Sequence, residues 1–162
     1  MNEFVQMLSK IYFENDGEFD SLTGALAPNR FNQIVKREID LVKRSKEKLA
    51  VISIILEPQN LTKDLPTGID INERVLIVEE MLIEVHFQIK SGLREVDCVC
   101  RVSKLGFWIL TKLTSQSDSK VLVERIRALI SEKFSISVIE YTPGDSLLQW
   151  YEKIDLQHFK QA

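Results

Sequence analysis

Arg94-Glu95-Val96-Asp97-Cys98-Val99-Cys100-Arg101-Val102, then Ser103-Lys104, then Leu105-Gly106-Phe107-Trp108-Ile109-Leu110-Thr111-Lys112-Leu113, is the stretch that decides the fold. Two β-rich runs separated by so few residues read as a hairpin, with strands over 94–102 and 105–113. Upstream, Leu49–Leu56 (LAVISIIL) is short, β-branched and continuously apolar, which predicts a central strand. Glu57-Pro58 ends it, because proline cannot donate into a ladder. A loop with Pro66 and Gly68 then leads to Asp70, an N-cap, and a long helix from about Ile71 to Lys90 that Ser91-Gly92 stops. Downstream, Ser117-Asp118-Ser119 caps a helix carrying Leu122, Ile126, Leu129 and Ile130, and Phe134 to Tyr141 is the last strand.

Three more helices frame this unit. Phe4, Leu8, Ile11 and Tyr12 stand at helical spacing within Met1–Phe13, and Asn15-Asp16-Gly17 breaks the pattern. Pro28 opens a helix to about Ser45, with an apolar stripe of Phe31, Ile34, Val35, Ile39 and Val42 opposite Lys36, Arg37, Lys43 and Arg44. Pro143-Gly144-Asp145 turns into a terminal helix with Leu147, Trp150, Tyr151, Ile154 and Phe159. The central order β-α-β-β-α-β predicts an α+β fold with a ferredoxin-like core, a four-stranded antiparallel sheet with helices on one face.

The rest of the composition fits one domain. The chain has 162 residues, 44% apolar, with two cysteines and a formal net charge of −3. That apolar fraction excludes a disordered chain, the cysteine count excludes a disulfide scaffold, and the charge argues against a nucleic-acid partner. No apolar run approaches the roughly 18 residues that span a bilayer, so no membrane partner is expected. Met1–Gln6 lacks the character of a secretory leader, and a cytoplasmic location follows. Cys98 and Cys100, one residue apart on a strand, read as small core residues. The boundaries expected are an N-terminal helix and linker over 1–19 and the domain proper over 20–162. With so few residues ahead of it, the domain is expected to take its input from a ligand or partner.

Residues suited to chemistry are sparse. His86 and His158 fall on helices without a cysteine or carboxylate cluster at ligand spacing, so no metal site and no cofactor are expected. The six glycines are dispersed and form no phosphate cradle. Glu57, at the end of a central strand, and Arg94 with Asp97, ahead of the hairpin, remain as candidates.

The order of motifs resembles one family. Asp20-Ser21-Leu22-Thr23-Gly24 followed by Asn29-Arg30-Phe31 is similar to the opening of GGDEF domains, the diguanylate cyclases, with a longer spacer, Ala25-Leu26-Ala27-Pro28. Arg101 to Leu110 resembles the family's signature hairpin, in which Arg101 and Phe107 match and Ser103-Lys104-Leu105-Gly106 stands in place of Gly-Gly-Asp-Glu. Lys153-Ile154-Asp155 is similar to the Arg-Ala-Asp of the family's last helix.

The resemblance, over about residues 15–162, implies a GGDEF/nucleotidyl cyclase fold. A working cyclase condenses two GTP molecules into cyclic di-GMP with divalent ions held by an acid at the first strand's end and an acid in the signature turn. Glu57 keeps the first, Leu105 offers no oxygen at the second, and side chains at Ser103 and Lys104 enter the space the paired glycines leave open. The guanine-binding asparagine falls near Asp64-Leu65 and the triphosphate lysine at Ala162. No catalytic residue is therefore expected, and the chain reads as a pseudoenzyme. The family's product-binding Arg-x-x-Asp, five residues before the signature turn, is matched by Arg94-Glu95-Val96-Asp97, which the resemblance implies as a cyclic di-GMP site. Arg37-Glu38-Ile39-Asp40 has the same spacing and reads as a solvated helix face. The expected function is an inactive GGDEF-like domain that binds cyclic di-GMP through exposed Arg94 and Asp97 and signals to a protein partner or homodimer. The alternative is an interaction module that works without ligand.

Overall fold

The computed structural model describes residues 3–64, 68–113 and 116–161. Helices α1 (Glu3–Lys10) and α2 (Pro28–Val42) precede strand β1 (Lys48–Leu56). Helices α3 (Pro58–Asp64) and α4 (Ile71–Gly92) lead to the hairpin of β2 (Cys98–Ser103) and β3 (Gly106–Leu113). Helix α5 (Gln116–Leu129), β4 (Phe134–Glu140) and α6 (Leu147–Gln161) complete the chain. The strands form one antiparallel sheet in the order β2-β3-β1-β4, the arrangement of the split βαββαβ unit.

β1 is central because it is buried on both sides. Ile52, Ile54 and Leu56 point into one core, and Leu49 and Val51 into the other. A strand covered twice has no polar alternation to keep, which explains its unbroken apolar sequence. The first core is closed by α1, α4 and α5 through Met7, Val78, Leu82 and Ile126. The second is closed by α2 and α6 through Phe31, Val35, Trp150 and Ile154. The expectation of helices on one face is thus corrected: α1 joins α4 and α5 on the first face, and α2 and α6 cover the other.

α1 folds back on its own chain: Met7 and Ile11 are buried, and Phe4 and Leu8 pack against the same core. Asp70 caps α4 as expected, accepting the Glu73 N–H at 2.9 Å. Cys100 is buried, Cys98 partly so, and both are free thiols; burial pushes Cys98 up to about 11, the state of an inert core residue.

Two segments differ from expectation. The loop after Glu57 begins as helix α3, because a proline suits a first helical turn as well as it ends a strand. The Asn60 side chain then anchors it to the Lys133 carbonyl at 3.0 Å. The second is the strand start: the i, i+3 spacing of a paired Arg94 and Asp97 requires Arg94 in a turn ahead of the strand, and it is there. The turn runs on to Asp97, whose N–H meets the Arg94 carbonyl at 3.1 Å, so β2 starts only at Cys98 rather than at Arg94. Pro66 and the side chains of Ser117, His158 and Phe159 lie outside the described residues. Among the described residues, no helix is long and apolar enough to cross a membrane.

Candidate functional site

The two ends of the β2–β3 hairpin carry the candidate residues. At the tip, Ser103 pairs with Gly106 around Lys104-Leu105, after a register shift between Arg101 and Ser103. Gly106 sits closely against its neighbours there: a Cβ would stand 2.8 Å from the Ser103 hydroxyl and 3.2 Å from Ile55. Leu105 turns its side chain into the first core and is 8% exposed, while its carbonyl accepts the Leu56 N–H at 2.9 Å. Glu57, one residue on, is buried and accepts a 2.7 Å hydrogen bond from Ser135 Oγ. The tip thus presents an aliphatic side chain beside one carboxylate already held by a neighbouring strand. Among the described residues, no group of three or more metal-ligating side chains is brought together.

Lys104 has a structural partner that the sequence did not reveal. Its ammonium reaches the carbonyls of Leu8 at 2.8 Å and Ser9 at 3.3 Å, the last turn of α1. A cation there satisfies orphan carbonyls and complements the negative end of the helix dipole.

Behind the tip, Arg101 is wholly buried and paired with Asp20 at 3.1 and 3.2 Å. Its other amino group donates to the Lys104 carbonyl at 2.9 Å, and the guanidinium lies 4.9 Å from the Phe13 ring centre. Asp20 also accepts from Thr23 N–H and Oγ1. Gly24 closes this loop with φ +81°, a conformation that favours glycine. Leu26 then bridges the edge of β2, donating to Val99 and accepting from Arg101. The Asp20-Ser-Leu-Thr-Gly24 motif and Arg101, distant in sequence, are thus one unit. Nearby, His86 is buried near Phe107, with Nε2 unpartnered. Burial, and then Lys90, hold its pKa below the ordinary value, against the opposing effects of the Thr23 carbonyl and Asp20.

At the far end, the Arg94 guanidinium lies against its own turn. Nε and Nη2 donate to the Asp97 carboxylate at 3.2 Å each, and Nη2 also reaches Thr111 Oγ1 at 2.9 Å and the Lys112 carbonyl at 2.7 Å. Asp97 further accepts the Arg94 N–H and the Thr111 hydroxyl. The expectation that both are exposed is corrected: the Arg94 side chain is 48% exposed and that of Asp97 is 0% exposed. A carboxylate with this many donors is held inside because leaving them unpaired would be costly. Arg37 and Asp40 behave differently, pairing with Glu38 and Lys43 rather than with each other.

Arg94 stands on a shallow concavity of about 260 Å³ shared with Leu113, Asp118, Val121, Leu122 and Arg125. Arg125 was not legible as a site residue; its only sequence signal is a place beside Leu122 and Ile126 on the edge of an apolar stripe. Leu65 and Ala162 lie outside the described residues.

No protein-family model matches the sequence, and no curated protein matches it significantly. Solved structures do share its fold. Diguanylate cyclase SiaD from Pseudomonas aeruginosa, solved with its activator SiaC, superposes with a TM-score of 0.70 at 19% identity, over 85% of this chain and 55% of that one. This chain thus spans about half the length of SiaD. The GGDEF domain of YfiN (TpbB) from the same organism gives 0.72 at 22% identity, over 90% of each chain. The GGDEF domain of DgcB from Caulobacter crescentus, solved in complex with c-di-GMP, gives 0.67 at 13% identity, over 90% of each chain. The fold is that of GGDEF domains.

Two outcomes test these contacts. Asp20→Ala strands a buried guanidinium and should cost about 3–5 kcal/mol in urea unfolding, whereas Asp40→Ala, at the exposed motif, should stay within about 0.5 kcal/mol. His86 resists protonation in the folded state, so the unfolded chain binds more protons as pH falls below about 6.5 and stability declines through that window. His86→Leu should flatten the change in unfolding midpoint between about pH 7 and pH 5.5; an unchanged slope would assign it to other groups.

Proposed function

We propose that this chain is a catalytically inactive GGDEF-fold domain that binds cyclic di-GMP at the Arg94–Asp97 turn and relays binding to a protein partner or a second copy. The observation that carries the ligand reading is the half-exposed Arg94 guanidinium, held in one orientation by Asp97, Thr111 and the Lys112 carbonyl, on a concavity shared with Arg125. With Nε and Nη2 committed to Asp97, Thr111 and the Lys112 carbonyl, Nη1 is the donor left for a guanine or phosphate oxygen, and a ligand with two phosphodiesters needs a second cation. Arg94 is the ligand contact, Asp97 the positioning residue and Arg125 the phosphate contact. Asp118 lines the same concavity. DgcB, solved with c-di-GMP, shares the fold, which supports the ligand class.

Inactivity rests on the tip. A metal-assisted condensation needs oxygen ligands and room for a triphosphate. Leu105 is in the core, and the Lys104 ammonium is held by α1. A second reading, an interaction module that works without ligand, is favoured by the burial of Asp97 alone.

Purified protein incubated with GTP and magnesium or manganese should form no cyclic di-GMP; any turnover by nucleotide-free protein refutes the inactive assignment. In calorimetry, cyclic di-GMP should bind and GTP should not. Arg94→Ala should abolish binding and Arg125→Ala weaken it by at least about tenfold, while Arg37→Ala leaves it unchanged. Equal effects of Arg94→Ala and Arg37→Ala, or no binding at high micromolar ligand, would leave the interaction module as the account.

A further inference from the structure

Helix α4 carries apolar side chains on a face that the described residues leave uncovered. Leu76, Ile83 and Phe87 are 60%, 42% and 75% exposed. Their i, i+7, i+11 spacing places them within about 40° of one line along the helix, a stripe roughly 16 Å long. They are not overflow from the core, which takes Val75, Val78, Leu82, Val85 and Ile89 from the opposite side. A phenylalanine three-quarters in water beside two further aliphatics is the kind of contiguous surface that monomeric proteins rarely keep without a use.

The charge beside the stripe identifies what fits it. Glu73, Glu80 and Glu84 repeat the same spacing, are all exposed, and form a row along one flank. None of the three is in an ion pair with a described residue.

We infer that this face docks an amphipathic helix of another protein, one with an apolar stripe flanked by a row of lysines or arginines. Apolar anchors at helical spacing supply the contact area, and the glutamate row sets the orientation and rejects acidic competitors. A second copy of this chain fits poorly. Symmetric antiparallel pairing of two α4 helices lays each glutamate row beside its own copy, because a two-fold axis across the helices keeps like flanks together. The exposed face of α2 and the turn after it offer Arg30, Arg37 and Arg44, but only Leu41 as an exposed apolar anchor. An anionic lipid surface is repelled by the same acids. The inference does not depend on cyclic di-GMP binding.

The test uses the whole protein and two labelled 18-residue peptides of equal hydrophobicity. One carries a leucine stripe with a lysine row, and the other has glutamate at every lysine. In fluorescence anisotropy the lysine peptide should bind at least about tenfold more tightly than its counterpart. Phe87→Ser and Ile83→Ser should each weaken it about tenfold or more, and Glu80→Lys with Glu84→Lys should reverse the preference. These positions are exposed, and unchanged thermal melts would show that the fold is kept. The inference is overturned if the lysine peptide does not bind, if the two peptides bind equally, or if Phe87→Ser has no effect. It is overturned equally by a concentration-dependent dimer in sedimentation that Phe87→Ser abolishes, since the occupant would then be a second copy.

Discussion

The buried ion pair between Asp20 and Arg101 is the constraint around which the rest of the molecule is arranged. Two charges with almost no access to water are tolerated only when most of their hydrogen-bonding groups are satisfied, and here the support comes from three separate places, with Arg101 Nε left unpartnered. Thr23 donates to the carboxylate, the Lys104 carbonyl accepts from the guanidinium, and Phe13 lies against its face. Desolvation offsets much of the attraction in such a pair, so its main consequence is positional. It holds the segment after α1 against the edge of β2 and fixes the direction in which the hairpin tip leaves the sheet. Lys104, delivered by that tip, then closes the last turn of α1. The ion pair and the Lys104 contact together tie the N-terminal helix, the opening motif and the hairpin to one another.

The hairpin separates two candidate functions in space. Its tip lies at Ser103–Gly106 and the Arg94 turn beyond Cys98, with β3 running eight residues between them, about 24 Å of extended chain. The contacts that bring Leu105 into the core and commit Lys104 to α1 act at one end only. The other end is held by its own set of bonds among Arg94, Asp97 and Thr111, none of which passes through the tip. Chemistry can therefore be lost at the tip while a binding surface persists at the base. This is the physical basis for proposing an inactive domain that keeps a ligand site.

Much of the scaffold was legible because its signals are local. The unbroken apolar run of β1, the Asp70 cap and the turn between β2 and β3 depend on neighbours in sequence. The Arg-x-x-Asp spacing was legible too, but not its geometry. Nothing in the sequence distinguishes a carboxylate facing solvent from one turned inward to Thr111, which lies on the partner strand. Helix α3 was missed because Glu57-Pro58 is equally a strand end and a helix start. The Lys104 contact with α1 and the meeting of Arg94 with Arg125 were missed for one shared reason: each joins elements whose juxtaposition only the finished fold determines.

The most direct measurement is a two-dimensional NMR titration of backbone and arginine side-chain resonances in the intact protein, first with GTP and magnesium and then with cyclic di-GMP. The account predicts that GTP leaves Glu57 and the Ser103–Gly106 tip unmoved. Cyclic di-GMP should shift Arg94, Asp97, Asp118 and Arg125 without disturbing α1. Shifts at Glu57 and the tip on adding GTP, with none around Arg94 on adding cyclic di-GMP, would contradict it.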